Sequence, residues 1–170
     1  VTSIGSYSLL DAVVYGGYQS GVPNEGVFYA GVGDDISVRT TTGGAVSTVD
    51  PDPGSSDSIV DVVMNSNDWS NAFAVDGNQV FQTTNSGISW SDITGNLMSI
   101  AGEALQTVEY IAGPVGALVV GANFGVFTSL MSALGTWTEV GSSLPNALVY
   151  DLEYNAADDV LVAGTLGRGA

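Results

Sequence analysis

The 170-residue sequence contains no cysteine, no histidine and no lysine; its two cations, Arg39 and Arg168, stand against eighteen acidic residues for a formal net charge of −16. Without cysteine there is no disulfide, thiolate nucleophile or cysteine-based metal centre. Without histidine, the usual zinc ligand and the usual neutral-pH general base are missing. Two cations cannot release many counterions from a polyphosphate, so nucleic acid is excluded as a partner, and anionic membrane surfaces are disfavoured on the same ground. Long hydrophobic runs are lacking too. The longest, Ile111 to Ala122, is broken by Gly113, Pro114 and Gly116 and falls short of the ~20 residues that cross a bilayer, so no membrane insertion is expected. The opening Val1-Thr2-Ser3-Ile4-Gly5 has neither an initiator Met nor a basic segment before an apolar core, and reads as the start of a chain cut from something longer.

What is present is small and apolar: 45% hydrophobic residues, 23 glycines and only 12% charged residues, too apolar for a disordered tail and too uncharged for a solvated helical protein. β-Branched and turn residues point to short strands joined by tight turns within one domain.

The strands repeat. Arg39-Thr40-Thr41-Thr42-Gly43-Gly44 aligns with Gln82-Thr83-Thr84-Asn85-Ser86-Gly87, and apolar runs precede each: Val27-Phe28-Tyr29-Ala30-Gly31 and Ala72-Phe73-Ala74-Val75. A third copy runs Ala117-Leu118-Val119-Val120-Gly121, then Gly125-Val126-Phe127-Thr128 and Thr136-Trp137-Thr138; a fourth begins at Val160-Leu161-Val162-Ala163-Gly164. Another apolar strand comes before each copy, at Leu10–Tyr15, Ile59–Met64, Val108–Ile111 and Val149–Tyr154. Four short antiparallel strands in ~40–45 residues make a unit the size of a propeller blade. Runs apolar on both alternations suit strands covered on both faces, and no segment shows sustained helical periodicity. The expected fold is all-β: a propeller-like array of four-stranded antiparallel blades at about 9–56, 57–104 and 105–147, with a partial one from 148 to 170. The competing reading is a generic Gly-rich β-sandwich.

Thr83-Thr84-Asn85-Ser86-Gly87-Ile88-Ser89-Trp90 resembles the Asp-box turn of sialidase-type and sortilin-type β-propellers, whose pattern is Ser/Thr-x-Asp-x-Gly-x-Thr/Ser-Trp. Asn85 stands where the family has Asp, Thr42 where the first copy would have it, and Ser47 where the first copy would have Trp. The third copy keeps Thr136-Trp137. The resemblance implies a structural turn, Thr83, Asn85, Gly87, Ser89 and Trp90, on the outside of a blade. It also implies what sialidase chemistry needs, an arginine triad, and two arginines cannot supply one. Family members include glycosidases, receptors and plain surface repeats, so the fold does not settle the function.

Other propeller glycosidases need paired acids across a cleft. The candidates are Asp34, Asp35, Asp61, Asp76, Glu109, Asp151 and Glu153, of which Asp61, Glu109 and Asp151 recur in the first strand of successive blades, as if lining a central channel. Asp34-Asp35 and Asp158-Asp159 suit turns, where Asp is common for local bonding. Asp50, Asp52 and Asp57 flank Gly54 with oxygen ligands at alternate positions, as in a calcium loop, but Pro51, Pro53 and the missing bidentate Glu depart from that pattern. Ca²⁺ is the only cofactor suggested, and an acidic surface loop is the plainer reading. Trp90 and Trp137 read as packing anchors. Trp69 either stacks on a sugar or caps a blade edge, and Arg168 pairs with a neighbouring carboxylate or carbonyl. The expectation is a non-catalytic structural or binding module of a secreted or cell-surface bacterial protein, its partners other domains or copies of the same protein and possibly carbohydrate. The alternative is a fragment of a propeller-type glycoside hydrolase or a carbohydrate-binding module.

Overall fold

The computed structural model describes residues 12–102, 104–141 and 147–167. In chain order the elements are β1 (Ala12–Tyr15), β2 (Tyr18–Gln19), β3 (Val22–Pro23), β4 (Phe28–Val32), β5 (Asp35–Arg39) and β6 (Ser47–Val49). There follow β7 (Asp61–Asn65), β8 (Asp68–Val75), β9 (Val80–Thr83), β10 (Ser91–Asp92) and a one-turn helix α1 (Leu97–Ala101). The rest are β11 (Leu105–Ile111), β12 (Ala117–Ala122), β13 (Gly125–Leu130), a 3-10 turn at Met131–Ala133, β14 (Thr138–Glu139), β15 (Val149–Asn155) and β16 (Val160–Thr165).

These strands form four antiparallel sheets, β1-β4-β5-β6, β7-β8-β9-β10, β11-β12-β13-β14 and β15-β16, each a meander in chain order. Most of the connections are short, and a link of two to seven residues returns a chain only to its neighbour; the twelve residues from β1 to β4 hold the β2–β3 hairpin. Asp76 shows how one turn is set: it is buried, and its carboxylate accepts from the backbone N–H groups of Asn78 (2.7 Å) and Gln79 (2.6 Å) between β8 and β9.

The core lies between the sheets. Val27, Tyr29, Ile36, Val38, Ile59, Met64, Ala72 and Phe81 fill the first junction. Phe73, Val75, Leu97, Leu105, Val120, Phe127 and Trp137 fill the second, and Val119, Val126, Val149 and Leu152 the third. Each middle sheet is thus buried on both faces, which is why β8 and β12 carry apolar runs without alternation.

Two features are absent from the strand pattern. The β2–β3 hairpin leaves the first sheet and pairs with the start of β8 at Gln19 and Asp68. The helix α1 is too short to show a period, yet buries Leu97 and Ala101. Arg168, read from sequence as pairing with a neighbouring carboxylate or carbonyl, lies outside the described residues, as do residues 1–11.

Candidate functional site

Between β9 and β10 the Thr83–Trp90 turn closes on its own side chains. The buried Thr83 Oγ1 accepts from the Gly87 N–H at 3.0 Å and donates to Asn85 Oδ1 at 2.9 Å. Asn85 Oδ1 also accepts from the Ser89 N–H at 3.0 Å, and its Nδ2 donates to Ser89 Oγ at 2.8 Å. Asn in place of Asp therefore adds a donor that a carboxylate lacks. Gly87 has φ +77, and a Cβ there would come within 2.5 Å of Val38 Cγ2, so only glycine suits both the turn and the packing.

Trp90, the residue before β10, lies edge-on to Tyr29, ring centroids 6.1 Å apart at 86°. Its Nε1 is buried and has no hydrogen-bond partner among the described residues. Trp137 is the same position one sheet later, since Asp92 pairs with Phe81 and Glu139 with Phe127. Trp137 Nε1 donates to Ile93 O at 3.2 Å. In the first sheet Ser47 pairs with Val38, which at the 43-residue offset is the position of Phe81. Ala45, not Ser47, therefore stands where the tryptophan would be.

Trp69 is half-buried against the first-junction cluster, its Cβ beside Gly17, while Tyr29 Oη donates to its carbonyl at 2.9 Å. It caps an inter-sheet seam. Burial first, then the nearby Asp68 charge, push the Tyr29 hydroxyl pKa far up.

The acids divide into two layers. By strand pairing Asp61 (opposite Val75), Thr107 (opposite Gly121) and Asp151 (opposite Gly164) are equivalent, as are Val63 (opposite Phe73), Glu109 (opposite Val119) and Glu153 (opposite Val162). The single recurring trio of Asp61, Glu109 and Asp151 is thereby corrected: bulges in β11 and β15 and the length of each loop place Glu109 one layer further along. Asp61 Oδ2 accepts from Thr107 Oγ1 and from the Val108 N–H, both at 2.8 Å, across the second junction. Burial raises its pKa, and these bonds pull it down. Glu109 has weaker compensation. Burial, then the Glu153, Asp61 and Asp151 charges, push its carboxyl up to about 7.

Asp34, Asp50, Asp52, Asp57 and Asp76 surround one small cleft. Asp50 Oδ1 accepts from its own loop at the Asp52 N–H (2.9 Å), and Asp57 Oδ2 accepts from Asn78 Nδ2 (2.8 Å). Among the described residues no three His, Cys, Asp or Glu side chains are grouped so as to hold a metal ion. Asp34 raises Asp35, after burial, and Asp50 adds to it. Asp158 and Asp159 bond locally to Asn155 and Tyr154.

No protein-family model matches the sequence, and no curated protein does. Solved structures do. An ancestral GH74 enzyme aligns over 93% of this chain with a TM-score of 0.69 at 16% identity. YCF48 bound to D1 peptide aligns over 93% at 0.58 and 13% identity, and YCF48 from Cyanidioschyzon merolae over 97% at 0.52 and 14%. The fold is a partial β-propeller. This propeller segment spans 24%, 48% and 66% of those three chains respectively. Its four sheets are blades, and the strands that carry Asp61, Glu109 and Asp151 are the first strand of each blade. None of the three neighbours carries its activity over at such identities.

Proposed function

We propose that this chain is a non-catalytic structural and binding module of a larger secreted or cell-surface bacterial protein, its partners being further domains or copies of the same protein. One observation carries the reading: the carboxylate of Asp61, the most enclosed of the candidate acids on the inner strands, is engaged by the hydroxyl and N–H of the next blade rather than presented to a cleft. A neighbouring fold that holds a bound peptide supports a protein ligand. The Thr83–Trp90 turn supports the kinship with Asp-box propellers, and the acidic composition supports the extracellular setting.

Glu109 favours a second reading, a fragment of a glycoside hydrolase or a carbohydrate-binding module. A carboxyl pushed up to about 7 beside Asp151 and Glu153 has the profile of a proton donor. The test is incubation of the purified chain with a panel of polysaccharides. No release of reducing sugar is expected. Hydrolysis that disappears in Glu109→Gln would overturn the non-catalytic reading.

A further inference from the structure

The links between strands sort by charge according to the end of the blades at which they lie. At one end are the β4–β5, β8–β9, β12–β13 and β15–β16 turns and the links from β6 to β7 and from β10 to β11. Backbone bonds tie them together: the Ile59 N–H donates to Gly33 O at 2.7 Å, the Leu105 N–H to Gly77 O at 2.9 Å and the Asn123 N–H to Ala104 O at 3.3 Å. This end holds the cleft aspartates Asp34, Asp50, Asp52, Asp57 and Asp76, and with them Asp158 and Asp159. Among the described residues the links at the opposite end, which include the Thr83–Trp90 turn, hold one acid, Glu25. Arg39 closes β5 there, its Nε donating to Gly26 O at 2.9 Å.

Beside the cleft, and distinct from it, is a pocket of about 270 Å³ at the second junction, lined by Asp57, Ser58, Gly77, Asn78 and Ala104. Asp57 Oδ2 accepts from Asn78 Nδ2 at 2.8 Å, which fixes the carboxylate on the pocket wall with further lone pairs to offer. Ala104 lines the pocket from a left-handed backbone, φ +65, a conformation unfavourable to a residue with a Cβ. Phe124 follows the Asn123 that is bonded to Ala104, and its ring reaches Gly102, where a Cβ would come within 3.3 Å of it. That ring is 55% exposed, and Ile100 is 42% exposed. A pocket below the ~300–1,000 Å³ of small-molecule sites suits one long side chain better than a whole cofactor. The patch is made by turns within and between the first three sheets.

We infer that this end of the blades docks a basic segment of another domain or protein, an arginine or lysine entering the pocket against Asp57 while an apolar residue beside it covers Phe124 and Ile100. This rests on the reading of the chain as a binding module and names the chemistry of its partner. Charge complementarity selects the occupant. The sequence has only two cations, so a second copy of these residues cannot supply the segment, and an anionic ligand would be repelled by the surrounding aspartates. A long cationic side chain lays its methylenes against Ala104 and sets its head on the Asp57 carboxylate, where a charge-assisted bond forms. The aspartates steer the segment to this end, and the exposed aromatic ring gives it an apolar anchor.

Because the chain has no cysteine, Ser99→Cys and Ile88→Cys each take a single fluorophore, the first beside Ile100 on the rim of the patch and the second at the opposite end. The probes are synthetic hexapeptides that alternate arginine with leucine, arginine with serine, or glutamate with leucine. The arginine–leucine peptide should change the signal of Ser99→Cys with a Kd of roughly 10–100 µM, leave that of Ile88→Cys unmoved, and weaken several-fold as salt rises to ~1 M. The arginine–serine peptide should bind about tenfold more weakly, and the glutamate–leucine peptide not at all. In the unlabelled chain, followed by calorimetry, Asp57→Asn and Phe124→Ser should each weaken the arginine–leucine peptide about tenfold, with Glu25→Gln leaving it unchanged. Equal effects of Asp57→Asn and Glu25→Gln, or no effect of Phe124→Ser, would mean attraction to net charge alone and overturn the proposal. So would a neutral glucan hexamer that moves the signal of Ser99→Cys when the peptide does not. Hydrolysis lost in Glu109→Gln would sink the preceding non-catalytic reading and leave peptide binding at this end as measured. A peptide that fails to bind sinks this proposal without touching the hydrolysis result.

Discussion

Asn96 and Trp137, on neighbouring blades, exchange two hydrogen bonds through one side-chain amide: Oδ1 accepts from the Trp137 N–H at 2.7 Å and Nδ2 donates to the Trp137 carbonyl at 3.1 Å. The amide acts as a peptide group would, pairing with the residue that leads into β14 as a further strand residue. It closes the outer rim of the second junction while Asp61 closes the inner.

Asn96→Ala removes both bonds and leaves the Trp137 backbone to water or to nothing. A loss of about 1–3 kcal/mol in urea unfolding is expected. Asn96→Asp keeps the acceptor but sets a carboxylate against the carbonyl, and should lose at least as much.

Trp90 and Trp137 occupy one repeat position with different partners. Trp137→Phe loses a bond to Ile93 O as well as volume and should cost about 2–3 kcal/mol. Trp90→Phe removes an indole N–H that has no partner among the described residues, so it should cost about 1 kcal/mol less. Equal losses in chemical denaturation would contradict this.

Gly87→Ala forces a side chain into φ +77 and against Val38. A destabilisation of about 2 kcal/mol or more follows. Thr83→Val, which keeps the shape but loses the Gly87 and Asn85 bonds, should cost about 1–2 kcal/mol. Both are read from melting curves by circular dichroism.

Glu109 gives the fold a pH dependence whose sign follows from its raised pKa. The folded carboxyl holds its proton up to about 7, whereas the unfolded one releases it near 4.5. The folded state therefore binds more protons between these values. The stabilisation is complete below about 4.5 and is lost as pH rises through 7. After allowance for solvent around this half-buried group the change is about 1–2 kcal/mol. Glu109→Gln should flatten the melting temperature over that interval, and a slope unchanged by the substitution would count against the assignment.

Much of the architecture was legible from residue types alone. The runs Val27–Gly31, Ala72–Val75 and Ala117–Gly121 recur with their turns, and those strands are where the spacing puts them. Side-chain identity misled where it outran backbone register. Glu109 looked like the counterpart of Asp61 because both are acids near the start of an inner strand, but the counterpart is Thr107, an uncharged residue that donates to Asp61 rather than repeating it. Counting residues aligns Ser47 with Trp90, whereas the turn before β6, shorter in register by two residues than the one before β10, puts Ala45 there. Ile59 packs against Gly31 and Val149 against Gly121, contacts between residues almost thirty apart that no local periodicity marks. Nor does any local signal mark Asn96, whose role depends on a partner forty-one residues away.

The β2–β3 hairpin leaves its own blade to lie against β8, so the first blade cannot reach its final hydrogen bonding until the second has formed. Amide protection should rise in step across both blades during refolding, as one cooperative unit. The two-stranded fourth sheet, with the smallest share of the core, should exchange fastest of all.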